Sequence, residues 1–314
     1  MSDVFEAIVS VSVLSACLRI ATPLLLAAIG EMVTERAGIL NLGIEGTVTV
    51  GAFSSFVVVD QTGSLWFGIV GGIVGAMALA ALMAFLTVTI KVEQVVAGLA
   101  LNLVGLGISF YLLRAIFDSG STTVPTVSTF SPVEIPLLSD IPAIGNIFFS
   151  QHWLTYFSVV LAVGVWVGLE RTTYGLELRS VGHNPEACDM RGIPVHRVQY
   201  AALLFGGFTA GLAGAFLSIF STGLFFPDIV GGRGWIALAI VIFGNWRVGR
   251  ILIGAVFFGF LEAYQLSLQS RGVDIPDQLL LSLPFLLTIV ALVFNRARSR
   301  EPLHLGVPYY RGER

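Results

Sequence analysis

Charge is what this sequence has least of. Acidic and basic side chains together make up 12% of its 314 residues, about half the roughly 25% of a soluble domain. Lysine occurs once, at Lys91 in "LTVTIKVEQ", with no glycine before it and no serine or threonine after it. A phosphate-cradling loop needs G-x-x-x-x-G-K-[ST] so that the ammonium can reach the β- and γ-phosphates. The chain has no such loop, and ATP hydrolysis by that route is excluded. Cysteine is nearly absent too: Cys17 lies in an apolar run and Cys188 in a basic loop. With the histidines at His152, His183, His196 and His304, they form no metal-ligand spacing and no disulfide framework. There is no H-E-x-x-H and no Ser/His pairing, so no catalytic residue, metal site or cofactor is expected in this chain. The N-terminus lacks a basic n-region and a small-x-small cleavage site, and is expected to be a retained first helix. A net charge of −3 does not point to nucleic acid as a partner.

What remains is hydrophobic: 55% of the residues and a mean hydropathy of +0.87. Lipid is therefore the main solvent, and a span needs about 20 apolar residues. Candidate spans are 5–30, 39–59, 65–90, 94–114, 153–169, 198–222, a short one at 235–246, 249–269 and 278–294. The expected fold is an all-α polytopic membrane protein of about nine transmembrane helices (8–10). Only 115–152, 170–197 and 295–314 are long and polar, so residues 1–294 are expected to form one transmembrane domain, with 295–314 as a tail. From Ala115 to Glu170 there is no lysine or arginine, whereas 170–197 holds Arg171, Arg179, Arg191 and Arg197 and the tail holds Arg296, Arg298, Arg300, Arg311 and Arg314. The positive-inside rule puts that loop and the tail in the cytoplasm, 115–152 outside, and the N-terminus outside. Glycines one turn apart (Gly68/Gly72, Gly71/Gly75, Gly207/Gly211) predict close helix packing. A short echo relates "GAFSSF" (51–56) to "GAFLSI" (214–219).

Two stretches depart from this apolar background. In "GHNPEACDMRGIP" (182–194), Asn184 caps, Pro185 suits the first helical position and Glu186 suits the positive helix end. Gly192 and Pro194 then stop the helix. About two turns of polar helix are thus expected on the cytoplasmic side, as a headgroup-lying surface helix or, better suited to a sequence without Trp or Phe anchors, as a docking element. The second stretch is "ERAGILNLGIEGT" (35–47). Glu35 and Arg36 read as an inside anchor and ion pair. Asn41 and Glu45 read as pathway or gate residues, or as bonds to a neighbouring helix. Asn102, alone in "AGLALNLVGLG", has interhelical and substrate-contacting readings. Phe225 and Phe226 in "STGLFFPDIVGGRGW" could stack on a planar solute or sit as interfacial aromatics.

The segments "ERAGILNLGIEGTVTVGAF", "QVVAGLALNLVGLGISFYLLR", "LRSVGHNPEACDMRGIPV" and the ending "LGVPYYRGER" resemble the permease subunits of ABC importers. The resemblance is to the nucleoside-importer branch of the simple-sugar and branched-chain-amino-acid permease superfamily, in order along nearly the whole chain. It implies a plasma-membrane permease paired with a second, homologous permease, two cytoplasmic ATPase subunits that hold the ATP-Mg, and an extracytoplasmic solute-binding protein. It also implies that Asn184, Pro185, Glu186, Ala187, Met190 and Gly192 form the coupling helix, with Cys188 where the family often has a second alanine. Asn41, Glu45, Asn102, Phe225 and Phe226 are then the expected pathway residues. The nearest alternatives are a ribose-type sugar permease, a branched-chain amino acid permease and, in another class, an ion-coupled secondary carrier, which would require buried charges as a relay.

Overall fold

The computed structural model describes residues 11–117, 125–136, 139, 141, 144–270 and 301–310. With no water to satisfy open backbone groups, apolar segments in lipid must be helical, and the described residues are almost wholly so. In chain order the helices are α1 (Val11–Arg36), α2 (Ile44–Thr62), α3 (Leu65–Ala84), α4 (Gln94–Phe117), α5 (Ile144–Phe148), α6 (Trp153–Arg171), α7 (Thr173–His183), α8 (Pro185–Met190), α9 (Val195–Ala215), α10 (Arg233–Gly244) and α11 (Val248–Ser270). Helices α3 and α9 each end in a π-helical stretch, at Phe85–Thr89 and Phe216–Thr222. Strands β1 (Val133–Glu134) and β2 (Ser150–Gln151) pair antiparallel in the long segment between α4 and α6, Val133 opposite Gln151.

Six of these helices are long and apolar enough to cross a membrane: α1, α3 with its π turn, α4, α6, α9 with its π turn, and α11. The chain is a multi-pass membrane protein. Expected spans 39–59 and 235–246 correspond to α2, of 19 residues, and α10, of 12. The expected span 278–294 and the arginines at 296, 298, 300, 311 and 314 lie outside the described residues.

Helices α1, α2 and α9 form the centre. Helix α9 packs on α1, α2 and α3, α1 on α10 and α11, and α2 on α3 and α4. Peripheral helices turn large apolar side chains outward, such as Val70 on α3, Leu103 on α4 and Val160 on α6, a surface that only lipid or another apolar partner suits. Lipid tails are as apolar as leucine, so attraction between helices comes from close packing rather than from the hydrophobic effect. A Cβ on Gly46 of α2 would stand 2.7 Å from the Asn102 carbonyl oxygen, and one on Gly105 of α4 would stand 2.7 Å from the Gly46 carbonyl oxygen. Helices α2 and α9 meet where the two echoed segments begin: a Cβ on Gly214 would stand 2.4 Å from the Ala52 backbone nitrogen.

Gly107, two positions beyond Gly105, has nothing within 4 Å of a would-be Cβ. Gly105→Ala should therefore lower the detergent-solubilised unfolding temperature through about 1–3 kcal/mol of overpacking. Gly107→Ala should leave it unchanged or raise it, since alanine is the better helix former by about 1 kcal/mol. Thermal unfolding of the two variants side by side checks the direction of each.

Candidate functional site

The polar stretch between α1 and α2 is an ordered break. Helix α1 runs through Glu31, Glu35 and Arg36, all buried, and stops at Gly38, whose φ of +88° suits a residue without a Cβ. Ile39 N–H then bonds the Thr34 carbonyl (3.2 Å) and Gly38 N–H the Glu35 carbonyl (2.9 Å), a Schellman ending. Side chains satisfy the open amides beyond it. Leu40 N–H donates to Gln94 Oε1 (2.8 Å), Asn41 N–H to Glu31 Oε1 (3.1 Å) and Gly43 N–H to Asn41 Oδ1 (3.1 Å). Glu35 and Arg36 converge on Trp246 after α10: the indole N–H donates to Glu35 and Arg36 donates to the Trp246 carbonyl. Asn245 and Trp246 both have positive φ (51° and 53°), uncommon for residues with a side chain. The two α1 side chains therefore clasp a tight left-handed turn.

Glu45 sits in the first turn of α2 and reaches across to α10. Its two carboxylate oxygens accept from Gly232 N–H (2.7 Å) and Gly234 N–H (2.6 Å). Those are open amides of a helix start, where the helix dipole favours a negative charge. Helix α10 is short because the chain before it runs back along α2 without being helical. Phe225 packs against Phe53 and Phe56 of α2, and Gly232, seven residues later, has reached Glu45, about two turns lower on α2. Asp228, Gly231 and Gly232 take positive φ on the way. Arg233 donates to the carbonyls of Ile229 (3.2 Å) and Val230 (3.0 Å) and pairs with Glu262 of α11. The carboxylates of Glu45 and Glu262 thus hold the start of this half-length helix.

The other expected pathway residues lie around this framework. Asn102 faces the Gly46 contact and is 8% exposed, and its Oδ1 has no hydrogen-bond partner among the described residues. Phe225 is fully buried against α2, whereas Phe226 is 41% exposed. A larger aromatic group escaped the sequence reading because its members come from four separate segments. Phe130 of the segment between α4 and α5 stacks on Phe220 (centroids 4.4 Å apart), and Trp66 stacks on Trp153 (5.4 Å). Hydrogen bonds from Val127 N–H to the Gly223 carbonyl and from Phe130 N–H to the Ile219 carbonyl pin this segment over the π turn of α9. His152 stands edge-on to Phe216 and Phe220. Burial, and secondarily the Arg19 charge, holds its imidazole below the ordinary histidine range.

In the arginine-rich loop, the expected helix forms as α8. Asn184 Oδ1 accepts from Ala187 N–H (2.9 Å), Pro185 stands at the helix start, and Gly192 turns the chain with φ +81°. Pro185 and Cys188 face inward; Cys188 packs with Val181, Val195 and Tyr309. Burial pushes the Cys188 thiol up, with Arg191 opposing, so it acts as a small apolar residue. Glu186 and Gly192 are exposed, and Met190 is 83% exposed. Helix α7, unforeseen, precedes α8 and shows Tyr174 and Leu176 to solvent. The segment 301–310 straps this region: His304 N–H bonds the Gly182 carbonyl (3.0 Å), Gly306 N–H the Gly38 carbonyl (3.3 Å), and Lys91 lies 4.1 Å over the Tyr310 ring. A cavity of about 810 Å³ lies between strap and helix, lined in part by Arg179, His183, Ala187, Arg191 and Leu303. Leu303 is 82% exposed. Apolar side chains grouped on a polar rim mark a protein-binding surface.

Glu45→Ala strands the buried Gly234 amide and the half-buried Gly232 amide, and leaving a buried donor unmet costs about 1–3 kcal/mol. It should markedly lower the unfolding temperature of the purified chain. Glu45→Gln keeps one acceptor and should lose less, so the order wild type, Gln, Ala in a thermal-unfolding series checks the carboxylate's part in holding α10.

Residues 13–292 match the family described as "Branched-chain amino acid transport system / permease component". Among individual relatives, TsgC13 of Haloferax volcanii, an ABC transporter permease protein provisionally assigned to glucose, is 39% identical over 94% of both chains. The guanosine ABC transporter permease protein NupQ of Bacillus subtilis is 34% identical over 96% of this chain and 97% of its own. The nucleoside ABC transporter permease protein NupC of Lactococcus lactis is 35% identical over 93% and 94%. Bacillus subtilis and Haloferax volcanii each have a second, more distant match, NupP and TsgB13, also named as ABC transporter permeases. With this match across its helices, the chain belongs to the family of branched-chain amino acid transport system permease components.

Proposed function

We propose that this chain forms half of the translocation pathway of an ATP-driven importer and that its solutes are nucleosides. The observation that carries the importer reading is α8, a capped helix on the arginine-rich face with an exposed apolar tip, in a chain without a phosphate-cradling loop. In this reading Asn184, Pro185, Glu186, Ala187, Met190 and Gly192 seat in a cytoplasmic ATPase subunit, which supplies ATP-Mg, and the strap at 301–310 braces them from behind. A push on α8 reaches α9 through Pro194 and reaches the end of α1 through Gly182 and Gly38. Because α9 and α1 form the centre of the bundle, such a push would tilt the pathway.

Nine spans complete the topology, with 278–294 the last and the N-terminus outside. A second, homologous permease completes the conduit, a reading supported by the paired names NupQ with NupP and TsgC13 with TsgB13. An extracytoplasmic binding protein delivers the solute. Asn41, Glu45, Asn102, Phe225 and Phe226 border the pathway around α10, and discontinuous helices are where transporters commonly bind or pass solute. NupQ and NupC support nucleosides by name, while TsgC13 and TsgB13 give sugar import a specific claim as the second reading.

Uptake of labelled guanosine, glucose, ribose and leucine into proteoliposomes holding both permeases, the ATPase and the binding protein separates these readings. Guanosine uptake that requires ATP is the expected result. Uptake of glucose instead would replace the substrate, and uptake persisting without ATP would overturn the importer itself. Asn184→Ala removes a cap worth about 1 kcal/mol and should lower ATP-dependent uptake several-fold. In a background lacking Cys17 and Cys188, Met190→Cys should cross-link to the ATPase.

A further inference from the structure

Two further cavities lie along the crevice between α6 and α11 that α1 backs, the first sharing Arg36 with the cavity beside α8. The first, of about 520 Å³, lies at the arginine-rich end of these helices and is lined by Arg36, Arg171, Arg247 and Arg250, with Trp166 and Trp246 beside them. Its one acidic residue, Glu170, is already paired with Arg179 at 3.2 Å. The Arg171 guanidinium lies 6.0 Å over the Trp166 ring, an aromatic at the depth where tryptophan favours the headgroup boundary. The second cavity, of about 660 Å³, continues the crevice toward the outer side. Its walls are apolar, among them Leu18, Leu25, Val159, Val160, Leu252 and Val256. Hydroxyls that reach this wall are already bonded within the protein: Thr22 to Thr155 (3.0 Å) and Ser158 to the Thr155 carbonyl (2.7 Å). One helical turn separates Gly249 of the first cavity from Leu252 of the second on α11, and on α6 Val160 of the second lies six positions before Trp166 of the first.

We propose that this crevice is a binding site for an anionic phospholipid of the cytoplasmic leaflet, with its phosphate among the exposed guanidinium groups of Arg171, Arg247 and Arg250 and an acyl chain along the apolar wall. Neither half of the crevice alone singles out this occupant, but the combination does. An apolar helix of a partner subunit suits the wall and leaves these three guanidiniums unanswered. An acidic segment of a cytoplasmic partner answers the charges and leaves the wall bare. Basic pockets between helices on the cytoplasmic side suit anionic headgroups, and guanidinium forks match phosphate oxygens. Neutralising Arg247 and Arg250 therefore weakens the headgroup contact, and a bulky side chain at Val160 blocks the acyl seat. Arg171, Arg247 and Arg250 do not line the α8 cavity, and the site makes no claim on the transported solute.

Native mass spectrometry of the complete transporter, delipidated in mild detergent and titrated with phosphatidylglycerol or phosphatidylcholine, tests this. The wild type should retain phosphatidylglycerol in preference to phosphatidylcholine. Arg247→Gln with Arg250→Gln, both exposed positions, should weaken phosphatidylglycerol retention roughly tenfold and leave phosphatidylcholine unchanged. Val160→Trp should weaken both. Equal retention by the wild type and the double arginine variant would overturn the proposal. So would displacement of phosphatidylglycerol by millimolar inorganic phosphate, which would indicate a free-anion site, or a cross-link from Val160→Cys to the second permease.

Discussion

The arrangement of the bundle depends on one carboxylate meeting one helix start. Glu45 accepts from two amides of the first turn of α10, and without that contact a 12-residue helix beginning inside the bundle would leave its first amides open. Water cannot serve such groups in lipid, and each unsatisfied one is costly. The same carboxylate would be expensive in an apolar interior without donors around it. Each group therefore makes the other tolerable. The pair determines where α10 begins and how far the non-helical 223–232 segment descends along α2. It also brings α10 to a length at which its far end, at Trp246, meets Glu35 and Arg36.

Polar side chains elsewhere in the bundle follow the same logic at the arginine-rich end. Glu31, Gln94 and Asn41 answer the amides of the break between α1 and α2, and Glu35 and Arg36 answer the left-handed turn after α10. Each of these residues has a backbone group or ring nitrogen to serve. Between these polar nodes the helices touch through glycine and alanine surfaces, with backbones close enough that added side chains would collide. Such contacts are apolar and shallow. They suit a conduit whose helices tilt against each other while the polar nodes keep the irregular segments intact.

Much of this was legible in the sequence. Apolar runs marked the helices from Val11 to Ser270 to within a few residues, because in lipid the backbone has one main way to satisfy itself. The capped helix at 185–190 was legible in Asn184, Pro185 and Gly192, since a cap is a contact between residues three apart. Helix α7 was not foreseen, because Thr173–His183 carries charges and small residues without an apolar face of spanning length. Its cap, Thr172, is nonetheless a signal that could have shown it. The extent of α1 was underestimated at Glu31, since charges that suggest a headgroup turn are here buried and bonded. Among the crevice arginines, Arg36 was read as an anchor and Arg171 counted for orientation, but their convergence with Arg247 and Arg250 at the start of α11 had no local sign.

Sequence alone determined that the chain lives in lipid, where its long helices run and how α8 begins and ends. These properties follow from the solvation of each segment and from contacts within one turn. Tertiary structure decided what the buried acids do. Glu45 and its first amide partner are 187 positions apart, and that partner is a backbone N–H, which every residue except proline carries. A donor common to nearly all residues leaves no mark in the sequence; only the folded chain shows which amide a carboxylate has found.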